Sequence, residues 1–97
     1  MKRIHQKYMT IGTYLKEKRE QAGLSQGDVK QLLGYKSPQL ISDWERGICG
    51  PPRDSLAKLV KAYKMKSRDL IDLFLAAERT ELVNALRGSS RSRQRTL

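Results

Sequence analysis

Apolar residues recur along this chain at intervals of three and four, broken at short distances by glycine, proline and serine, and no stretch alternates as a strand would. In residues 10–22, Ile11, Leu15 and Ala22, widened by Tyr14, form the stripe of a first helix that Gly23 ends. Ser25 opens a second. Its hydroxyl can take the Asp28 amide while the Asp28 carboxylate reaches back, a capping box with Asp in place of the usual Glu or Gln. Val29, Leu32 and Leu33 then point inward, and Gly34 stops the helix after about two turns. Ser37 followed by Pro38 predicts a third helix, a cap residue before proline at the first helical position; Ile41 and Trp44 form its buried side and Gly47 its end. Gly50, Pro51 and Pro52 keep residues 48–52 out of helix. A fourth helix over residues 53–63 places Leu56, Leu59, Val60 and Tyr63 at i, i+3, i+4 and i+7, and a fifth, capped by Ser67, runs to Arg87. The expectation is an all-α fold of five helices.

Charge adds a partner to this picture. Twenty Lys and Arg against ten Asp and Glu give a net charge of +10 and a pI near 10.1, which points to a polyanion, nucleic acid first. Both ends are expected to be basic arms: Lys2, Arg3 and Lys7 fall within residues 1–9, and Arg91, Arg93 and Arg95 within 88–97. The tail after residue 88 has little to bury, and reads equally as a solubilising segment or a nucleic-acid arm. The expected organisation is an arm at 1–9, a DNA-binding domain at 10–66, a C-terminal helix at 67–87 and the tail at 88–97. No run approaches the length of a membrane span, and the N-terminus lacks the apolar core of a signal peptide. A single cysteine, Cys49, permits no intrachain disulfide and suits a reducing cytoplasm. With His5 in an arm and Cys49 in a loop, no catalytic or metal-binding constellation is expected, nor a cofactor or small-molecule substrate; the chain reads as a non-enzyme.

Helix 3 carries the candidate chemistry. Gln39, Ser42, Asp43 and Arg46 fall at i, i+3, i+4 and i+7, opposite Ile41 and Trp44. A short helix with a buried back and a hydrogen-bonding front fits the major groove, although any surface helix has a polar face. Gln can pair bidentately with adenine, Ser can donate to base or phosphate, and Arg can take phosphate or guanine.

The series Leu15, Arg19, Gly23-Leu24-Ser25-Gln26, Leu33-Gly34 and Ile41-Ser42-Asp43-Trp44-Glu45-Arg46-Gly47, continued by Pro52, Leu56, Leu59, Ala62 and Met65, resembles the Cro/C1-type (Xre family, lambda-repressor-like) helix-turn-helix domain over about residues 10–75. The resemblance implies a sequence-specific DNA-binding regulator, a repressor, that reads the major groove of double-stranded DNA with residues 37–46. It implies that Ser25 and Gln26 clasp a phosphate, that Ser37, Gln39, Ser42 and Asp43 face bases and flanking phosphates, that Lys36, Arg46 and Arg53 clamp the backbone, and that Arg19 and Glu45 form a structural ion pair. Three features depart from the family pattern. Lys30 stands where a small residue is usual, the turn before Ser37 is one residue longer, and Asp43 brings negative charge to the DNA face, where it must accept from a base such as cytosine or turn aside.

From Leu70 to Ala77 only Asp72 is polar, more apolar surface than one core contact needs. A homodimer through Leu70, Ile71, Phe74 and Leu75 is therefore expected. Two further function classes remain open: an antitoxin-type autoregulator that also binds a partner protein, and a helical RNA- or protein-interaction module.

Overall fold

A computed structural model describes residues 6–88, with side chains described from Tyr8 to Arg87; the basic stretches at 1–5 and 89–97 lie outside the described residues. Among those described are five α-helices and no strand: α1 (Gln6–Gln21), α2 (Gln26–Leu33), α3 (Gln39–Glu45), α4 (Leu56–Tyr63) and α5 (Ser67–Gly88), with a 3₁₀ turn at Arg53–Ser55 leading into α4.

Helix α1 begins at Gln6, four residues before the expected Thr10. Tyr8 explains the extension. It continues the stripe of Ile11 and Leu15 one turn backwards and packs against the core, so residues 6–9 are helical. Its ring covers the loop at Gly50, where a Cβ would lie 2.7 Å from the ring edge.

Helix α2 has both halves of the capping box: the Asp28 amide donates to Ser25 Oγ at 2.9 Å, and the Ser25 amide to Asp28 Oδ2 at 2.8 Å. The charge-stabilising bonds from Ser25 hold the Asp28 carboxyl below its ordinary range. Val29 is fully buried and Leu33 half-buried, but Leu32 is 46% exposed, contrary to the inward position expected of it. An eight-residue helix touches the core along one line. Residues 29 and 33 lie on that line, and residue 32 falls over its edge.

Helix α3 starts at Gln39, with Pro38 in the cap position; the Ser37 hydroxyl still accepts from the Gln39 amide, at 3.3 Å. Its end is a reversal around Gly47 at φ 77°, where the Gly47 amide donates to Trp44 and the Ile48 amide to the Asp43 carbonyl. Glycine takes this left-handed conformation without the Cβ penalty. The expected single helix over 53–63 is instead the 3₁₀ turn followed by α4.

The core gathers Ile11 and Leu15 of α1, Val29 of α2, Ile41 and Trp44 of α3, Leu59 and Tyr63 of α4, Met65, and Leu70 of α5. Each such side chain taken from water contributes about 1.5–3 kcal/mol before entropy is charged against it. Leu70, expected at a dimer interface, is 3% exposed inside this core, and Phe74 is half-buried against it. Only Ile71 and Leu75 of that set face outward, at 55% and 64%. The helical period separates them: residues 70, 73, 74 and 77 line the inner face, and 71 and 75 lie around the side.

Candidate nucleic-acid interface

The first feature that fixes the α2–α3 unit is a polar clamp around Glu45. Arg19 on α1 donates through Nε to Glu45 Oε2 at 2.6 Å and through Nη2 to Oε1 at 3.1 Å, and its Nη1 reaches the Leu24 carbonyl at 2.8 Å. The Arg19 and Glu45 side chains are only 10% and 3% exposed. A third arm comes from Gln26, whose Nε2 donates to Glu45 Oε1 at 2.9 Å. One carboxylate therefore ties the last turn of α1, the start of α2 and the end of α3 together. Its hydrogen bond holds the Arg19 guanidinium more firmly charged than usual. Nearby Tyr63 is pushed far above its ordinary range, chiefly by burial and then by the Glu45 charge.

The helix pair is set by packing as well. Trp44, 2% exposed, packs in a T-shaped arrangement with Tyr35, at 6.2 Å between ring centroids and an interplanar angle of 76°. Tyr35 sits in the turn, so the segment between α2 and α3 is held by its own side chain. Lys30, on α2, is half-buried.

With Ile41 and Trp44 behind it, α3 turns Gln39 and Arg46 to solvent, leaves Ser42 half-buried and buries Asp43. The three chemically strongest groups of this face are joined. Gln39 Nε2 donates to Asp43 Oδ1 at 2.8 Å and Arg46 Nη2 donates to the same oxygen at 2.9 Å. The Asp43 side chain is 12% exposed and that of Arg46 is 53%. Asp43 thus engages its own neighbours on the helix. Its negative charge is met by Arg46.

The other candidate residues surround this face unevenly. Lys36, Ser37 and Arg53 are exposed. Lys36 and Ser37 lie in the turn before α3, and Arg53 opens the 3₁₀ turn. Ser25 is exposed at the start of α2 with its oxygen engaged in the cap. Gln26 is half-buried, and one hydrogen of its side-chain amide is engaged by Glu45.

A family model described as a helix-turn-helix domain matches residues 10–74. The chain belongs to this helix-turn-helix domain family. The match is consistent with the Cro/C1-type resemblance and with DNA binding, and the family is typically non-enzymatic. It takes in α1 from Thr10 onward, α2, α3, α4 and only the first part of α5, to Phe74, so the longer remainder of α5 lies outside the shared pattern. No curated protein and no solved structure matches.

Two contributors to the helix-turn-helix geometry escaped the sequence reading. Gly12 lies where α1 crosses the end of α3: a Cβ there would collide with the Trp44 carbonyl oxygen and sit 2.8 Å from that of Glu45. The second is the linking role of Asp43, for which the i, i+3 and i, i+4 spacing to Arg46 and Gln39 was the available signal. Among the described residues no helix is long and apolar enough to cross a membrane.

Proposed function

We propose that this protein is a sequence-specific DNA-binding regulator that acts as a repressor, with α3 entering the major groove. The observation that carries the reading is the outward presentation of Gln39 and Arg46, backed by Ile41 and Trp44 in the core. On this reading Gln39 and Ser42 face base edges. Lys36, Ser37, Arg46 and Arg53, with the amide end of α2 at Ser25, hold phosphates and set the register. Pairing of Asp43 with Arg46 supports it, because a lone carboxylate on this face would repel the DNA backbone. The protein acts where the DNA is, in the cytoplasm.

The reading includes a homodimer. On α5, Ile71, Leu75, Leu82 and Leu86 are 55%, 64%, 54% and 85% exposed, and at 100° per residue they fall within an arc of roughly 60°. Among the described residues beyond Glu78 only Val83 is half-buried, so this part of the helix gains little from its own core. Alongside Ile71 and Leu75 an open groove of about 710 Å³ runs between α4 and α5, floored by Leu56, Val60, Leu70 and Phe74. A second copy laid along this stripe would remove it from water and present two recognition helices to half-sites about 34 Å apart.

Selection from random duplex DNA tests the proposal. It should enrich a dyad-symmetric site, and if each complex neutralises about six phosphates the log–log salt slope should be near −5. Failure to enrich any duplex, with preference for single-stranded RNA, would move the protein to the RNA-binding class.

A further inference from the structure

We infer that Asp43 is a positioning residue for base readout, fixing the Gln39 amide in the one orientation that selects adenine. The inference rests on α3 being the recognition helix and assigns specificity to a side chain that reaches no base. A glutamine amide can turn over and exchange its oxygen and nitrogen. One orientation offers an acceptor beside a donor, the pattern that pairs with adenine N6 and N7; the other offers the reverse. A carboxylate only accepts, so Asp43 Oδ1 at 2.8 Å must face the amide nitrogen of Gln39, and the overturned amide would set oxygen against oxygen.

The bond does not consume the reading group. A carboxamide nitrogen carries two hydrogens, one beside the carbonyl oxygen and one away from it. Adenine needs the carbonyl oxygen and the hydrogen beside it, which leaves the other for Asp43. Among the described residues the Asp43 bond is the one hydrogen bond that the Gln39 side chain makes.

Asp43 is placed to act as a rigid support. Its carbonyl receives the Ile48 amide at 3.0 Å where α3 ends, and its side chain is 12% exposed against 53% for Arg46. Arg46, donating to the same oxygen at 2.9 Å, offsets the charge and is itself held at the helix end. The i, i+4 and i, i+3 rows of one helix thus carry a relay from a buried acceptor to an exposed reader.

The test is selection on random duplexes with the full chain, run for the unmutated protein, Gln39→Ala, Asp43→Ala and the isosteric Asp43→Asn, beside affinity for unselected DNA. The unmutated protein should prefer adenine at one position of each half-site by roughly 5- to 150-fold, the range of a bidentate contact. Gln39→Ala should abolish that preference alone. Asp43→Ala should lower it by roughly five- to tenfold while other positions hold and affinity for unselected DNA changes less than about threefold. Asp43→Asn, with an amide that can itself turn over, should fall between. Should Asp43→Ala not fold, Asp43→Asn carries the comparison. In the unmutated protein the Gln39 side-chain amide protons should also exchange with solvent more slowly than those of exposed Gln31. Unchanged adenine preference in a folded Asp43 variant overturns the inference, as does equal exchange for Gln39 and Gln31. A uniform loss at every position and on unselected DNA overturns it too, because that marks a merely structural role. If the unmutated protein enriches no duplex, the DNA reading itself fails; enrichment with an Asp43-independent profile sinks this inference alone.

Discussion

Glu45 is the side chain whose environment leaves least room for error. It is 3% exposed and takes two bonds from Arg19 and one from Gln26. Removing Arg19 leaves a buried carboxylate with a single neutral donor, and the cost of an uncompensated buried charge exceeds the worth of the pair itself. Arg19→Ala is therefore expected to lose about 3–5 kcal/mol of unfolding free energy, measured in urea. A loss below about 1 kcal/mol would mean that water replaces the guanidinium with little penalty. The two ionic partners stand in motifs that the family resemblance connects. The bond from Gln26 to Glu45 was not legible, because a glutamine at a helix start can offer its amide to many partners, and only proximity in the fold brings Glu45 within reach.

Among the helices, the crossing of α1 over the end of α3 holds α3 at its C-terminal end. At Gly12 two effects of Gly→Ala oppose each other. In an exposed helix interior alanine would gain about 1 kcal/mol. Here its Cβ meets main-chain oxygens of Trp44 and Glu45, which cannot swing away as a flexible side chain would. Forced overpacking costs about 1–3 kcal/mol in yielding surroundings, and this surrounding is stiff, so the net sign is destabilising. Gly12→Ala should lower the melting temperature; a rise would show that α1 and α3 slide apart freely. The capping box of α2 and the two-faced pattern of α3 were legible because they depend on neighbours three or four residues away. The early start of α1 was not, since what recruits residues 6–9 is the Tyr8 ring against the core and over Gly50, some forty positions along.

Across the whole molecule, stability is coupled to alkaline pH through Tyr63. Its phenol is 3% exposed, and burial reinforced by Glu45 raises its folded-state pKa above the ordinary 10.0. The unfolded chain therefore releases this proton first as pH rises. Stability from the group is fully present below about pH 10 and is lost as pH climbs from there toward the raised folded value. Burial shifts Tyr14 and Tyr35 in the same direction. Urea denaturation should give steady free energies up to about pH 9 and a decline above about pH 10, shallower in Tyr63→Phe. An identical slope in that variant would remove Tyr63 as the source. Assembly is the second property of the whole. Sedimentation at micromolar concentration should give a dimer, and Leu82→Asp with Leu86→Asp should give a monomer that is still folded by circular dichroism, as both leucines are exposed in the single chain and lie outside its core. A monomer from the unmutated protein, with and without its selected DNA, would end the dimer reading.

What sequence order settled here is whatever acts along a few turns of chain: five helices, the capping box of α2, the glycine stops at Gly23, Gly34 and Gly47, the Ile41 and Trp44 back of α3 and the basic excess. Folding in three dimensions decided which of several equivalent-looking groups meet. Leu70 went inward while Ile71 faced out, Gln26 turned to Glu45, and Asp43 became the acceptor for Gln39 and Arg46. The reason is that periodicity fixes a side chain's angle around its own helix, whereas burial and hydrogen-bond partners depend on how that helix is rotated and set against the others.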